Sequence, residues 1–168
     1  MPIESPEHPG WIVARLARQL ELAVSTVDLT LPQYRLLTLL GAGREAASAL
    51  ADKLAVSRPS VTGVVDGLVA RGLVARNHES GDRRRVEHDL TDQGRRVLAA
   101  ADAEVERRLG EIAAQRPERA PAAYKGLGAW GDALNAHRAA RRARAATTAQ
   151  TTAATTAQTT AATTAAPR

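Results

Sequence analysis

From Trp11 onward, apolar residues recur every three or four positions, at Val13, Leu16, Leu20 and Val24, with Arg15, Arg18 and Glu21 between them. That period describes one face of an amphipathic helix. Thr30-Leu31-Pro32-Gln33 then fits a capping box, in which the Thr30 and Gln33 side chains satisfy free backbone N–H groups. A proline in that first turn costs no hydrogen bond. The helix it opens, Pro32 to Leu40, stops at Gly41-Ala42-Gly43. A short helix over Ala46 to Leu54 follows, Ala55-Val56 makes a tight turn, and Ser57 is placed to cap the next helix. There Val61, Val64, Val65 and Leu68 form an apolar stripe, with Arg58, Ser60, Thr62, Gly63 and Asp66 largely on the other side. Gly72 ends it.

The period then changes to two. Extended segments near Leu73 to His78 and Arg85 to Leu90 flank Glu79-Ser80-Gly81-Asp82, which is turn chemistry. Val86, His88 and Leu90 fall on one face of the second strand. Thr91 can cap a long helix carrying Val97, Leu98, Ala101, Val105, Leu109 and Ile112. Roughly 24 residues at about 1.5 Å each give about 36 Å, more than a small domain needs for its own core. Pro117 and Pro121 interrupt it. A last helix uses Tyr124, Leu127, Trp130 and Leu134 and trails into the basic run Arg138 to Arg144. From Thr147 the repeat TTAQTTAA occurs twice, followed by TTAAPR. It has almost no charge and no large apolar side chain to offset its ordering entropy, so residues 146–168 are expected to be a disordered tail.

Composition narrows the function. The 168 residues suit one domain, and a chain rich in Ala, Leu and Val with 2% aromatics favours helices. A net charge of +5 favours a polyanionic partner, although its arrangement matters more than its total. The absence of cysteine excludes disulfides, thiolate metal sites and thiol switching. The opening MPIESPEHPG has no basic start and no apolar core, so a signal peptide is not expected. No apolar run reaches the roughly 20 residues of a membrane span, and the expectation is a cytoplasmic protein. His8, His78, His88 and His137 lack metal-ligand spacing, and neither a nucleophile elbow nor a phosphate-binding loop is present. Neither enzyme activity, a metal nor a cofactor is expected.

The order of parts from Ser57 to Gly94 is more specific: a capped helix, a basic hairpin and a new helix. That is a winged helix-turn-helix layout. Small polar residues at a helix N-terminus can approach a duplex closely and offer backbone N–H groups to phosphate. Ser57, Ser60 and Thr62 carry short hydroxyls for this, Arg58 can reach a phosphate or a guanine edge, and Gly63 lets the helix sit deep. At the hairpin tip Arg84 is placed for a minor groove, Arg83 and Arg85 for phosphate, and Asp82 for orienting an arginine. Capping alone accounts for Ser57 and Thr91 whatever else they do. A solvated turn is the bland alternative for the arginines.

The chain resembles the MarR family of bacterial regulators over about residues 11–140. The resemblance rests on Ser57-Arg58-Pro59-Ser60-Val61-Thr62, Leu68-Val69-Ala70-Arg71-Gly72-Leu73-Val74, Asp82-Arg83-Arg84 and Leu90-Thr91-Asp92-Gln93-Gly94. Each fragment is weak alone; four in register are specific. Two positions depart from the family pattern: His88 replaces a β-branched residue in the wing, and Ala49 replaces a common acidic residue. The resemblance implies a homodimer on a pseudo-palindromic DNA operator. It also implies a small phenolic or lipophilic effector, bound between the dimer helices and the DNA-binding lobe, that shifts the recognition helices away from operator geometry. Repression is the usual outcome in such proteins.

The expected fold is therefore mainly α with a small β-hairpin: a winged helix-turn-helix lobe plus N- and C-terminal dimerisation helices. Residues 1–10 are expected as a loose arm and 11–145 as the MarR-like domain. Within it the DNA-binding lobe spans about 31–91, and the dimerisation helices about 11–28 and 92–144. Trp11, Tyr34, Tyr124 and Trp130 suit core or dimer packing; Trp11 and Tyr34 are also the candidates for an effector pocket. Two other readings stay open. One is a winged helix serving as a protein-interaction module. The other is an architectural DNA binder indifferent to sequence and without effector response.

Overall fold

The computed structural model describes residues 8–78 and 86–164. The chain divides into two compact units, Met1–Arg116 and Pro117–Arg168. The first unit contains α1 (Pro9–Ser25), α2 (Leu31–Gly41), β1 (Glu45–Ala46), α3 (Ala47–Leu54), α4 (Arg58–Ala70), β2 (Val74–His78), β3 (Val86–Leu90) and α5 (Asp92–Ala113). The second contains α6 (Ala120–Thr164). The mainly helical class and the β-hairpin are as the periodicity predicts. The hairpin gains a third strand that periodicity does not reveal: the sheet order is β1-β3-β2, all antiparallel.

Local chemistry explains the helix ends. Thr30 Oγ1 accepts from the Gln33 N–H and the Gln33 side chain accepts from the Thr30 N–H at 2.9 Å, a closed capping box. Ser57 caps α4, and Thr91 caps α5 by accepting from the Gly94 N–H at 3.0 Å. Alpha4 is terminated just before Gly72, whose φ of 68° places it in the left-handed region where glycine is unstrained. The Leu73 N–H then donates to the Leu68 carbonyl at 2.9 Å and turns the chain into β2.

The first unit is organised around one apolar core. Leu36, Leu37 and Leu40 of α2, Leu50 of α3, and Val61, Val65 and Leu68 of α4 meet Leu73, Val74 and Leu90 of the sheet. Val24 of α1 and Ala101 of α5 close it. Burying a side chain of this size contributes about 1.5–3 kcal/mol, so the three buried residues of α4 suffice to dock it by its inner face. That docking leaves the outer face free.

Two boundaries differ from the sequence reading. Alpha1 starts at Pro9, inside the arm expected over residues 1–10, because proline is tolerated in a helix's first turn. Alpha5 ends at Ala113, before Pro117, as the prolines suggest. Alpha6 runs to Thr164, through the repeat expected as a disordered tail. Alanine has the highest helix propensity, and the Thr147 and Thr148 hydroxyls donate back to the Ala143 and Arg144 carbonyls at 3.0 Å each. Propensity carries this stretch, since the sequence beyond Leu134 holds no large apolar side chain. Among the described residues, no helix is long and apolar enough to cross a membrane.

Candidate nucleic-acid interface

Alpha3, the turn at Ala55-Val56 and α4 form the helix-turn-helix. Ala55 takes a left-handed conformation with φ of 55°, unusual for a residue with a Cβ. Its N–H donates to Asp52 O and the Val56 N–H to Ala51 O, so the turn is closed by backbone bonds. Helix α4 is then presented N-terminus outward.

The sequence-predicted residues of α4 come together on that outer face. Ser57, Arg58, Ser60, Thr62 and Gly63 are all exposed, while Val61 and Val65 point into the core. Ser57 Oγ accepts from the Ser60 N–H at 3.3 Å and lies 2.7 Å from Ser60 Oγ. Thr62 Oγ1 donates to the Arg58 carbonyl at 3.0 Å. The three hydroxyls are thus oriented by the helix and keep acceptor capacity toward solvent. Arg58 makes no ion pair with a described residue. A Cβ added at Gly63 would meet nothing within 4 Å, so the helix has open space at its second turn. Asp82, Arg83, Arg84 and Arg85 lie outside the described residues.

Behind α4 sits a polar row that sequence patterning missed. In the sheet register His88 of β3 faces Arg76 of β2 on one side and Glu45 of β1 on the other. Directly opposed residues share a face, and here Arg76 forms an ion pair with Asp66 of α4, while Glu45 pairs with Lys53 of α3. The row ties both helices of the motif to the strands. His88 is 5% exposed and its Nδ1 lies 3.3 Å from the Glu45 carbonyl. A carbonyl only accepts, so Nδ1 carries the proton. Burial lowers the His88 pKa from its ordinary value, helped by the Arg76 charge and opposed by Asp66. The imidazole therefore packs as a neutral group where a β-branched residue would sit. Ala49, the second departure, is half-buried on α3 and lies outside this face.

The two aromatic candidates for an effector site have separate roles. The Tyr34 hydroxyl donates to Asp102 Oδ1 at 2.7 Å. Burial first, and that hydrogen bond second, push its pKa up to about 12. Trp11 is 44% exposed and takes the Arg15 guanidinium over its ring at 5.0 Å. An open groove of about 390 Å³ lies nearby, lined by Ile12, Arg15, Leu16 and Gln19 of α1 and Ile112 of α5. Trp11 meets this groove through Arg15, and Tyr34 does not line it. Of these groove residues only Leu16 belongs to the apolar period that marks α1 as a helix, and no period encodes the meeting with α5. Among the described residues no cluster of three histidines and carboxylates could hold a metal.

Comparison with known proteins completes the picture. The MarR family pattern matches residues 29–86, from the start of α2 to the start of β3. The regulator FarR of Neisseria gonorrhoeae, named an HTH-type transcriptional regulator, is 34% identical over 106 residues, 61% of this chain and 73% of FarR. YfiV of Bacillus subtilis, described as an uncharacterised HTH-type transcriptional regulator, is 31% identical over 60% of this chain. The match spans 64% of YfiV, less than two thirds of its length. Among solved structures, the transcriptional repressor CouR bound to a 23-mer DNA duplex superposes with a TM-score of 0.62 at 29% identity, covering 71% of this chain and 86% of CouR. NadR in complex with 4-hydroxyphenylacetate superposes at 0.56 with 30% identity, covering 77% and 96%. With a helix-turn-helix and wing strands set between flanking helices, this chain belongs to the MarR family of transcriptional regulators.

Proposed function

We propose that the protein is a sequence-specific DNA-binding repressor that binds a pseudo-palindromic operator as a homodimer in the cytoplasm and is released by a small-molecule effector. The observation that carries the reading is the outer face of α4. Its inner face is fully committed to the core, and its N-terminal turns hold Ser57, Arg58, Ser60, Thr62 and Gly63 in the open. Such a face fits a major groove, with backbone N–H groups and hydroxyls toward phosphate and Arg58 toward phosphate or a guanine edge. The sequence adds Arg83, Arg84 and Arg85 as further DNA contacts, with Asp82 to orient an arginine. The repressor CouR, similar in fold, is known on a DNA duplex.

Apolar residues left at the surface support the dimer. In the first unit Trp11, Ile12 and Val13 are consecutive among them, the last 64% exposed. In the second they are Tyr124, Leu127, Trp130 and Leu134, with Trp130 70% exposed. Surface of this kind is covered in a stable assembly. The groove between α1 and α5 is the effector site this reading favours. Its Arg15 would meet a carboxylate of the kind carried by 4-hydroxyphenylacetate, the ligand of NadR.

Selection of bound sequences from a random duplex library at near-physiological salt tests the reading. An enriched inverted repeat is expected. Enrichment of A·T content without a repeat would favour the architectural alternative, and no enrichment would favour an interaction module.

A further inference from the structure

The net charge of +5 is not where the recognition helix is. The first 132 residues hold 18 acidic and 18 basic side chains and are neutral as a whole. Beyond Asp132 there is no acidic residue, and all the excess cations lie there: Arg138, Arg141, Arg142, Arg144 and the terminal Arg168. Four of the five fall within seven residues of α6.

The arginines of α5 are handled differently. Arg107 pairs with Glu104 at 2.8 Å and with Glu111, and Arg108 reaches Glu111 at 3.9 Å. On α6, Arg138, Arg141 and Arg144 are exposed and make no ion pair with a described residue. At 3.6 residues per turn, Arg138 and Arg141 lie about 60° apart and Arg144 about 60° further round. Positions 138 to 144 span about 9 Å of helix axis. Four cations over that length approach the charge density of a duplex, which carries one phosphate per about 1.7 Å.

We propose that this arginine run of α6 is a second, sequence-independent DNA-binding surface that contacts duplex phosphates apart from the recognition helix. The inference rests on the DNA-binding reading above and adds a site to it. Charge complementarity selects a polyanion, and the shape of the helix selects a duplex over a lipid surface. A helix lying in a membrane sets bulky apolar residues opposite its cations. Opposite Arg138 and Arg141 on the helical wheel are Ala136, Ala139, Ala140 and Ala143. The bulky residues Leu127, Trp130 and Leu134 fall on the same side as those arginines, so the helix has no apolar face to insert away from them. An unopposed cationic face with a small-residue back suits electrostatic contact with phosphates.

The test uses the full chain with Arg138→Gln, Arg141→Gln, Arg142→Gln and Arg144→Gln combined. Glutamine keeps helix propensity close to that of arginine, and circular dichroism checks that the helix persists. Affinity for a selected duplex and for a scrambled one is measured from about 50 to 200 mM salt. Each neutralised phosphate contributes about 0.9 to the slope of log K against log salt. The variant is expected to lose up to about 3.6 from that slope for each protomer in contact, on both duplexes, with the ratio between them unchanged. An unchanged slope would overturn the proposal while leaving the recognition helix in place. A wild type that does not prefer the selected duplex would instead count against sequence-specific regulation, while a lost slope would still support the arginine surface. Binding to phosphatidylserine vesicles that the four substitutions abolish, with duplex binding untouched, would assign the run to membranes and overturn it too.

Discussion

The hydroxyl of Tyr34 on α2 donates to the carboxylate of Asp102 on α5 at 2.7 Å, joining the helix that supports the recognition motif to the long helix after the wing. The two residues are 68 positions apart, and their contact fixes where α5 leaves the lobe. Tyr34→Phe removes the bond and leaves the ring. It is expected to cost about 1–2 kcal/mol in urea unfolding at fixed protein concentration. A loss below the error of the measurement would make the bond incidental.

The same residue sets a pH dependence. The Tyr34 pKa in the folded chain is pushed up to about 12 by burial and by Asp102, above the ordinary value of 10.0. A raised pKa means stability that is complete below pH 10 and lost as pH rises toward 12. Wild type should therefore lose more stability over that interval than Tyr34→Phe, and parallel losses would refute the assignment.

His88 acts at the other end of the scale. Its pKa is lowered, chiefly by burial, so the fold prefers the neutral ring. The contribution is present above about pH 6.5, the unperturbed value, and is lost as pH falls through the lower folded value. His88→Val should flatten the decline in stability between pH 7 and pH 5, since valine suits a buried strand position. The comparison is made by thermal unfolding across that range. A variant with the wild-type slope would show that other groups carry the acid sensitivity.

Two glycines should respond in opposite ways. A Cβ at Gly94 would run into the Leu73 backbone carbonyl, which already accepts the Thr91 N–H at 3.1 Å. Gly94→Ala is expected to destabilise by about 1–3 kcal/mol, as overpacking against an atom that cannot yield. Gly63 faces open space on α4, and Gly63→Ala should stabilise by about 0.5–1 kcal/mol through helix propensity. If α4 sits deep in a groove, the same substitution weakens DNA binding. A variant that is more stable and binds as well as wild type would remove Gly63 from the interface.

Much of the lobe was legible because its signals are local. The Thr30–Gln33 box, the caps at Ser57 and Thr91, and the Val61, Val65 and Leu68 stripe lie within a few residues of the structure they specify. Glu45–Ala46 reads in sequence as loop and helix start, since a two-residue strand exists only through its pairing with residues 87 and 88. For the same reason His88 stood out as an unusual residue while its partners, Arg76 and Glu45, did not. Tyr34 was noticed as an aromatic, but its partner Asp102 comes from a helix whose angle no sequence period encodes. The repeat at the end of α6 is a different case. Low complexity suggested disorder, whereas the alanine propensity of the repeat favours helix.

The central claim is that the outer face of α4 reads DNA sequence, and Arg58 tests it most directly. Affinity for a selected duplex and for its scrambled counterpart would be measured at one salt concentration for wild type and for Arg58→Ala. Wild type is expected to prefer the selected duplex, and the variant to lose about 1–3 kcal/mol of that preference if Arg58 reaches a base edge. Equal losses on both duplexes would place Arg58 on phosphate. A wild type without preference for the selected duplex, or a variant that binds both duplexes as tightly as wild type, would contradict the claim.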